Sequence, residues 1–245
     1  MEHITSLKNP KVAAWKALKD RKGRRESGCF LVEGRKMVEE ALASAFDVKA
    51  VLVQEGMELP DGLTMPVYEL PEHVLAAVCD TKTPQGIAAV VRMKEQSALG
   101  KHIVVLDGVQ DPGNVGTILR TLDAFEADGL VLLPGCADPF SPKTVRSSMG
   151  AVFRRPVWTC TAETFAQVLR GSGLRLLGAA LRDDTVDARA ADYTRAVLAI
   201  GSEGRGLSDE VLALCDETVR IPMSPRCESL NAAVAASVLL WEAYR

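Results

Sequence analysis

The chain has 245 residues, 47% of them hydrophobic, which is enough to bury the core of one large domain or two smaller ones. The longest apolar run, Leu230 to Trp241, is too short to span a bilayer and contains Asn231, and Met1–Lys8 has no signal-peptide core, so no membrane association and a cytoplasmic setting are expected. The net charge of −3 is unremarkable, but residues 1–36 carry ten Lys or Arg against four acidic residues, a local charge of +6 on an otherwise acidic body. That split fits phosphate contacts by one end of the molecule, through Lys8, Lys11, Arg21, Lys22, Arg24, Arg25 and Arg35. It fits a solvated charged helix and loop equally well.

In chain order, Lys11–Lys19 reads as a short basic helix after Pro10, and Asp20–Gly28 as a charged turn. Phe30–Val32 reads as a strand, Glu33–Ser44 as a helix, Val48–Val53 as a strand, Leu70–Val78 as a helix and Ile87–Val91 as a strand. These make a small α/β domain over 1–93, and the polar stretch 94–101 reads as a linker. From 102 to 245 the rhythm is regular. Strands are expected at Ile103–Leu106, Leu130–Leu133, Leu174–Ala179, Val197–Ile200 and Thr218–Ile221. Helices are expected at Asn114–Glu126, Pro142–Met149, Ala162–Arg170, Ser208–Leu214 and Ser229–Tyr244. Strands alternating with helices predict a mostly parallel sheet covered on both faces.

Six cysteines and three histidines are scattered, with no pair at C-x-x-C spacing, so neither a metal site nor a disulfide framework has support in the sequence. Three loops after strands attract attention, because open parallel sheets bind ligands at the carboxyl ends of their strands. Asp107–Asn114 leads into a helix with Asn114 as candidate N-cap and Arg120 on its polar face. Gly201–Gly206 holds three glycines in six residues but matches neither the dinucleotide nor the triphosphate fingerprint. Pro222–Glu228 leads into a helix that Ser229 could cap, with Asn231 in its first turn.

Three ordered motifs resemble the SpoU/TrmH family of RNA ribose methyltransferases, within the SPOUT superfamily: Asp111-Pro112-Gly113-Asn114-Val115-Gly116 through Arg120, Ile200-Gly201-Ser202-Glu203-Gly204-Arg205-Gly206, and Ile221-Pro222-Met223 followed by Ser229-Leu230-Asn231-Ala232-Ala233-Val234-Ala235. Phe30-Leu31-Val32-Glu33-Gly34 and Thr83-Pro84-Gln85-Gly86-Ile87 resemble the substrate-binding domain found in members of that family. The resemblance implies a C-terminal α/β (trefoil) knot, a rare exception to unknotted folding, preceded by an L30e-like RNA-binding domain, and a homodimer. It implies S-adenosylmethionine as methyl donor, held by Gly201, Ile221, Met223 and Leu230, with no metal. It implies catalytic roles for Asn114, Arg120, Glu203, Ser229 and Asn231, with Asn114 and Glu203 as candidates to hold Arg120. Ribosomal RNA is the favoured substrate. Transfer RNA, or RNA binding without catalysis, are the alternatives.

Overall fold

The computed structural model describes residues 1–94, 100–224, 226–227 and 229–244. The expected linker falls largely on 95–99, which lie outside the described residues. The chain divides into two compact units: one comprises Met1–Lys94 and Phe140–Phe153, and the other takes in the rest of the described chain.

The first unit contains a five-stranded mixed sheet. Its strands are β1 (Glu2–His3), β2 (Cys29–Glu33), β3 (Val48–Gln54), β4 (Val67–Leu70) and β5 (Ile87–Arg92), in the order β1-β4-β3-β5-β2. The short strands β1 and β4 were not expected; β1 has only two residues, and half-buried Val67, Tyr68 and Glu69 of β4 break any clean apolar alternation. Helices α1 (Pro10–Ala17), α2 (Arg21–Ser27), α3 (Arg35–Ala43) and α4 (Glu72–Val78) flank the sheet. Val12, Trp15, Leu18, Leu70, Val74, Leu75 and Val78 close one core over Leu31, Ala50 and Leu52.

Helix α2 stands where the sequence predicted a turn. The polar run conceals one inward residue: Arg24 is buried and donates from Nη1 to the carbonyls of Leu18, at 2.8 Å, and Lys19, at 2.7 Å. Gly23 packs so closely under α1 that a Cβ would lie 2.1 Å from the Ala17 carbonyl oxygen. Arg24 therefore belongs to the fold and is corrected as an RNA contact. Arg24→Met is expected to lower unfolding stability by about 2–3 kcal/mol, measured by urea denaturation, because it strands two carbonyls that the guanidinium satisfies.

A second departure is the segment Phe140–Phe153, which the sequence places within the C-terminal domain. It packs with the first unit through aromatic rings. Phe30 lies 4.8 Å from Phe140 and 6.2 Å from Phe153, centroid to centroid, and Phe46 lies 5.4 Å from Phe153. Aromatic pairs at these separations are attractive beyond their buried area. Arg146 of α6 (Pro142–Ser148), which the short helix α7 (Ala151–Arg154) follows, adds an ion pair to Asp80 at 3.4 Å.

The second unit is built on a seven-stranded, all-parallel sheet. Its strands are β6 (Ile103–Asp107), β7 (Gly129–Leu132), β8 (Val157–Thr159), β9 (Arg175–Ala179), β10 (Val186–Asp187), β11 (Ala196–Gly201) and β12 (Glu217–Arg220), in the order β10-β12-β9-β11-β6-β7-β8. Buried on both faces, the central strands read as continuous apolar runs. Phe165 and Leu169 of α8 (Ala162–Ser172) and Val211 of α9 (Asp209–Leu212) cover one face, against Ile103, Val105, Val131, Leu176 and Val197. On the other face α10 (Ala232–Tyr244) packs against β11 and against α5 (Pro112–Ala124), and Thr121 of α5 shares a hydroxyl–hydroxyl hydrogen bond of 3.2 Å with Ser237 of α10.

From β6 the chain builds outward through β7 and β8, then crosses to the opposite side of β6 for β9, β11 and β12. Sheets with such a switch of direction bind ligands at the carboxyl ends of their strands. Among the described residues no helix is long and apolar enough to cross a membrane.

Candidate active site

Two caps differ from expectation, and both changes release an asparagine. Asp111, rather than Asn114, caps α5: it accepts from Gly113 N at 2.6 Å, with Pro112 in the first turn. Asn114 is thus one turn inside the helix with its amide free to reach sideways. At α10 the cap is Asn231 rather than Ser229, its Oδ1 accepting from Ala233 N at 3.0 Å and Val234 N at 3.3 Å. The Asn231 Nδ2 remains available and donates to Asn114 Oδ1 at 3.1 Å and Glu203 Oε1 at 3.4 Å. Asn114 Nδ2 also donates to Glu203 Oε1. Three residues, from the first turn of α5, the loop after β11 and the cap of α10, therefore form one closed cluster.

Glu203 reaches this position from a tight hairpin. Ser202 N donates to Gly206 O at 3.0 Å, and Gly206 N donates back to Ser202 O at 2.9 Å. Gly201 lies so close beneath the returning chain that a Cβ would sit 2.0 Å from the Gly206 carbonyl carbon and 2.3 Å from Leu207 N. Only glycine closes the hairpin this tightly. Asp107, paired with Gly201 across β6 and β11, accepts from Ser208 N at 2.7 Å and ties down the far side of the loop.

Beside the hairpin lies a cavity of about 350 Å³ at the ends of β9, β11 and β12. Gly201, Ile221, Met223 and Leu230 all line it, as do Glu203 and Ser229. Asn114 and Asn231 stand just outside and join it through Glu203. Arg120 does not line it. That side chain is exposed on α5, and its guanidinium has no hydrogen bond or ion pair among the described residues. Glu203 holds the two asparagines rather than Arg120, because the caps leave both amides pointing to its carboxylate.

The sequence reading passed over the wall formed by Ala179, Ala180, Leu181 and Arg182 after β9. That loop lacks the glycines and prolines that marked the other three, but its place after a strand was a usable signal. Asn231→Asp is expected to keep the cap, and with it the stability, while setting a second carboxylate against Glu203. Turnover should fall about tenfold or more, with the melting temperature unchanged within about 2 °C.

Of the expected RNA contacts, Lys8, Arg21 and Arg25 are exposed, and Lys22 faces Glu26 at 3.8 Å. Lys11 bonds Glu2 at 2.6 Å and lies 4.5 Å over the Tyr68 ring, and Arg35 faces Glu39 at 3.7 Å and donates to the Glu58 carbonyl. Exposed pairs of this kind exchange readily for a phosphate. Three of the thiols are not poised as nucleophiles: burial pushes Cys79 up to about 12 and Cys160 and Cys215 up to about 11.

A parallel sheet with a cavity at the carboxyl ends of β9, β11 and β12, walled by apolar side chains, glycine backbone and three arginines, and a carboxylate–amide cluster at the cavity edge, defines an α/β protein built to hold a small ligand beside polar chemistry. Residues 101–241 match the model of the SpoU rRNA methylase family, and residues 9–89 match the MRM3-like substrate binding domain. The chain is 38% identical, over 98% of its length and 98% of the relative's, to the 23S rRNA (guanosine(2553)-2'-O)-methyltransferase RlmP of Bacillus subtilis (strain 168). It is 32% identical, over 99% of its length and 91% of the relative's, to the 23S rRNA (uridine(2479)-2'-O)-methyltransferase of Streptomyces viridochromogenes. Its fold matches an AdoMet-bound rRNA methyltransferase from Sinorhizobium meliloti with a TM-score of 0.90 at 33% identity, covering 99% of this chain and 97% of the other. The chain belongs to the SpoU rRNA methylase family.

Proposed function

We propose that the protein transfers a methyl group from S-adenosylmethionine to a ribose 2'-hydroxyl of ribosomal RNA. The observation that carries this reading is that one residue, Glu203, both lines the small-ligand cavity and anchors the polar cluster beside it. The cavity suits the donor: its size lies in the range of small-molecule sites, its floor is apolar, and at Gly201 backbone replaces side chain. Among the described lining residues the carboxylate of Glu203 stands with the guanidinium groups of Arg182, Arg205 and Arg220, a mix of charges that suits a donor carrying a sulfonium, an ammonium and a carboxylate.

When bound, S-adenosylmethionine supplies an electrophilic methyl group on a positively charged sulfur. Gly201, Ile221, Met223 and Leu230 hold the donor, and Ser229 stands at the same wall. Asn114 and Asn231, locked to each other and to Glu203, present fixed polar groups to the ribose and remove the need for reorganisation during reaction. Arginine stays protonated in proteins, so Arg120 binds the neighbouring phosphate and stabilises the developing alkoxide rather than taking the proton. Within this set Glu203 offers the acceptor: its Oε1 is taken by the two asparagines, and its Oε2 has no hydrogen-bond partner among the described residues. It accepts the hydroxyl proton.

The finer architecture follows the same reading. The C-terminal segment is a trefoil knot, supported by the return of α10 from β12 to pack on α5 and β11. Residues 1–93 act as an L30e-like RNA-binding domain, joined by 94–101 to the methyltransferase domain 102–245. The enzyme is a cytoplasmic homodimer. Val234 and Trp241, both exposed on one side of α10 and seven residues apart, supply an apolar stripe for the second copy.

The test offers methyl-labelled S-adenosylmethionine to ribosomal and transfer RNA fractions from cells lacking the gene. Label is expected in large-subunit ribosomal RNA. Label confined to transfer RNA would overturn the substrate class.

A further inference from the structure

We propose that the bulged rim of the first unit's sheet, formed by Lys49 and Arg92 with Arg25 beside them, holds backbone phosphates of the RNA substrate. This rests on the proposed ribosomal RNA substrate, and it adds two cations that lie beyond the basic N-terminal segment.

The surface begins with an irregularity in β3. Val48 pairs with Val91 of β5 and Ala50 pairs with Val90, so Lys49 is an extra residue in the ladder, a β-bulge. Val48 and Ala50 are both buried, and the bulge turns the lysine between them out to the rim. Beside it, β5 ends at exposed Arg92, whose backbone N donates to Asp47 O at 2.9 Å. Arg92 also pairs with Cys29 at the start of β2, and Met93 N donates to Gly28 O at 2.8 Å. Gly28 caps α2, so exposed Arg25, in the last turn of that helix, stands at the same end of the sheet.

The charges there do not cancel. Lys49 Nζ lies 2.6 Å from Asp47 Oδ2 and Arg92 Nε lies 3.4 Å from the same oxygen, two cations on one carboxylate. Burial pushes the neighbouring Cys29 thiol up, and Arg92 and Lys49 each oppose that more than Asp47 adds to it, so the field at the rim is positive. Glu26, next to Arg25 in the chain, faces Lys22. Other basic residues of the unit are matched singly, Lys11 by Glu2 and Arg35 by Glu39. A positive excess held in fixed geometry suits an anion, and RNA supplies one at every nucleotide. Such contacts set the register of the strand and leave base identity to other groups.

The test uses the full-length protein, ribosomal RNA from cells lacking the gene, and four variants: K49A/R92A, K49E/R92E, K49R/R92K and Asp47→Asn. Methyl transfer gives kcat and KM, and filter binding over a salt series gives the RNA affinity. K49A/R92A is expected to raise KM for RNA about tenfold and to flatten the salt dependence by about two phosphate contacts. K49E/R92E raises KM further, and K49R/R92K restores most of the loss. The value of kcat at saturating RNA and the Kd for S-adenosylmethionine hold throughout. Asp47→Asn removes the compensating carboxylate and is expected to lower KM for RNA about threefold, a gain that a merely structural ion pair would not give. The altered side chains are exposed, so melting temperatures stay within about 2 °C of wild type. Arg170→Ala, which removes an exposed cation from α8, is the control and leaves KM near wild type. A K49A/R92A protein with KM within about twofold of wild type and an unchanged salt slope overturns the inference and leaves the methyltransferase reading standing. An equal loss in Arg170→Ala also overturns it, since bulk charge would then account for the effect. A wild-type protein that methylates no ribosomal RNA overturns the substrate reading, and this inference with it.

Discussion

Arg120→Ala is expected to leave the protein at full stability and to lower kcat by about 100- to 1000-fold. The two halves of this prediction come from one observation: Arg120 is exposed on α5 and its guanidinium bonds nothing among the described residues. Removing a side chain without partners leaves the fold as it was, so chemical denaturation should superpose on the wild type. The loss then falls entirely on the reaction. A guanidinium matches the two oxygens of a phosphate through its fixed fork, and Lys cannot reproduce that geometry. Arg120→Lys should therefore recover only part of the lost rate. Donor affinity, measured without RNA, should not change in either variant, because Arg120 does not line the cavity. A variant that kept wild-type turnover would remove Arg120 from the mechanism.

Gly201→Ala is expected to weaken donor binding by on the order of a hundredfold and to destabilise the protein by about 2–3 kcal/mol. The added Cβ would lie 2.0 Å from the Gly206 carbonyl carbon and 2.3 Å from its oxygen. Backbone, unlike a flexible side-chain end, cannot yield cheaply, so the hairpin opens and Glu203 moves with it. Both the cavity wall and the anchor of the two asparagines are displaced. Gly204→Ala is the control. It lies in the same hairpin, but a Cβ there meets nothing within 4 Å, so stability and donor affinity should stay near wild type. Equal losses in the two variants would trace the effect to loop stiffness instead of the close approach at Gly201.

Much of the second unit could be read from the chain itself, because a parallel sheet buried on both faces writes each strand as an apolar run. Ile103–Leu106 and Val197–Ile200 are such runs, and each is one or two residues shorter than the strand that forms. The first unit was harder. Arg24 belongs to a run of charges, and nothing local marks it as the residue that turns inward. Phe140 and Phe153 lie far in sequence from Phe30, their partner, so no window of residues could join them.

The site divided in a similar way. The four expected donor contacts do line one cavity, since each lies at or beyond the carboxyl end of a strand. The Asn114–Glu203–Asn231 cluster depends on two helix caps lying three residues before Asn114 and two residues after Ser229. Caps are set by backbone geometry at a scale finer than periodicity resolves. Leu181 was missed because an apolar residue in a polar loop looks incidental until the cavity beside it is known.

The acceptor is a ribose hydroxyl rather than a base. That is tested most directly by digesting the methylated ribosomal RNA and locating the label. The expected result is a single nucleoside carrying the label on its sugar, with the adjoining phosphodiester resistant to alkali because its 2'-oxygen can no longer attack. Label on a base, beside an alkali-sensitive linkage, would contradict the account of Arg120, Glu203 and the two asparagines as a device for ribose methylation.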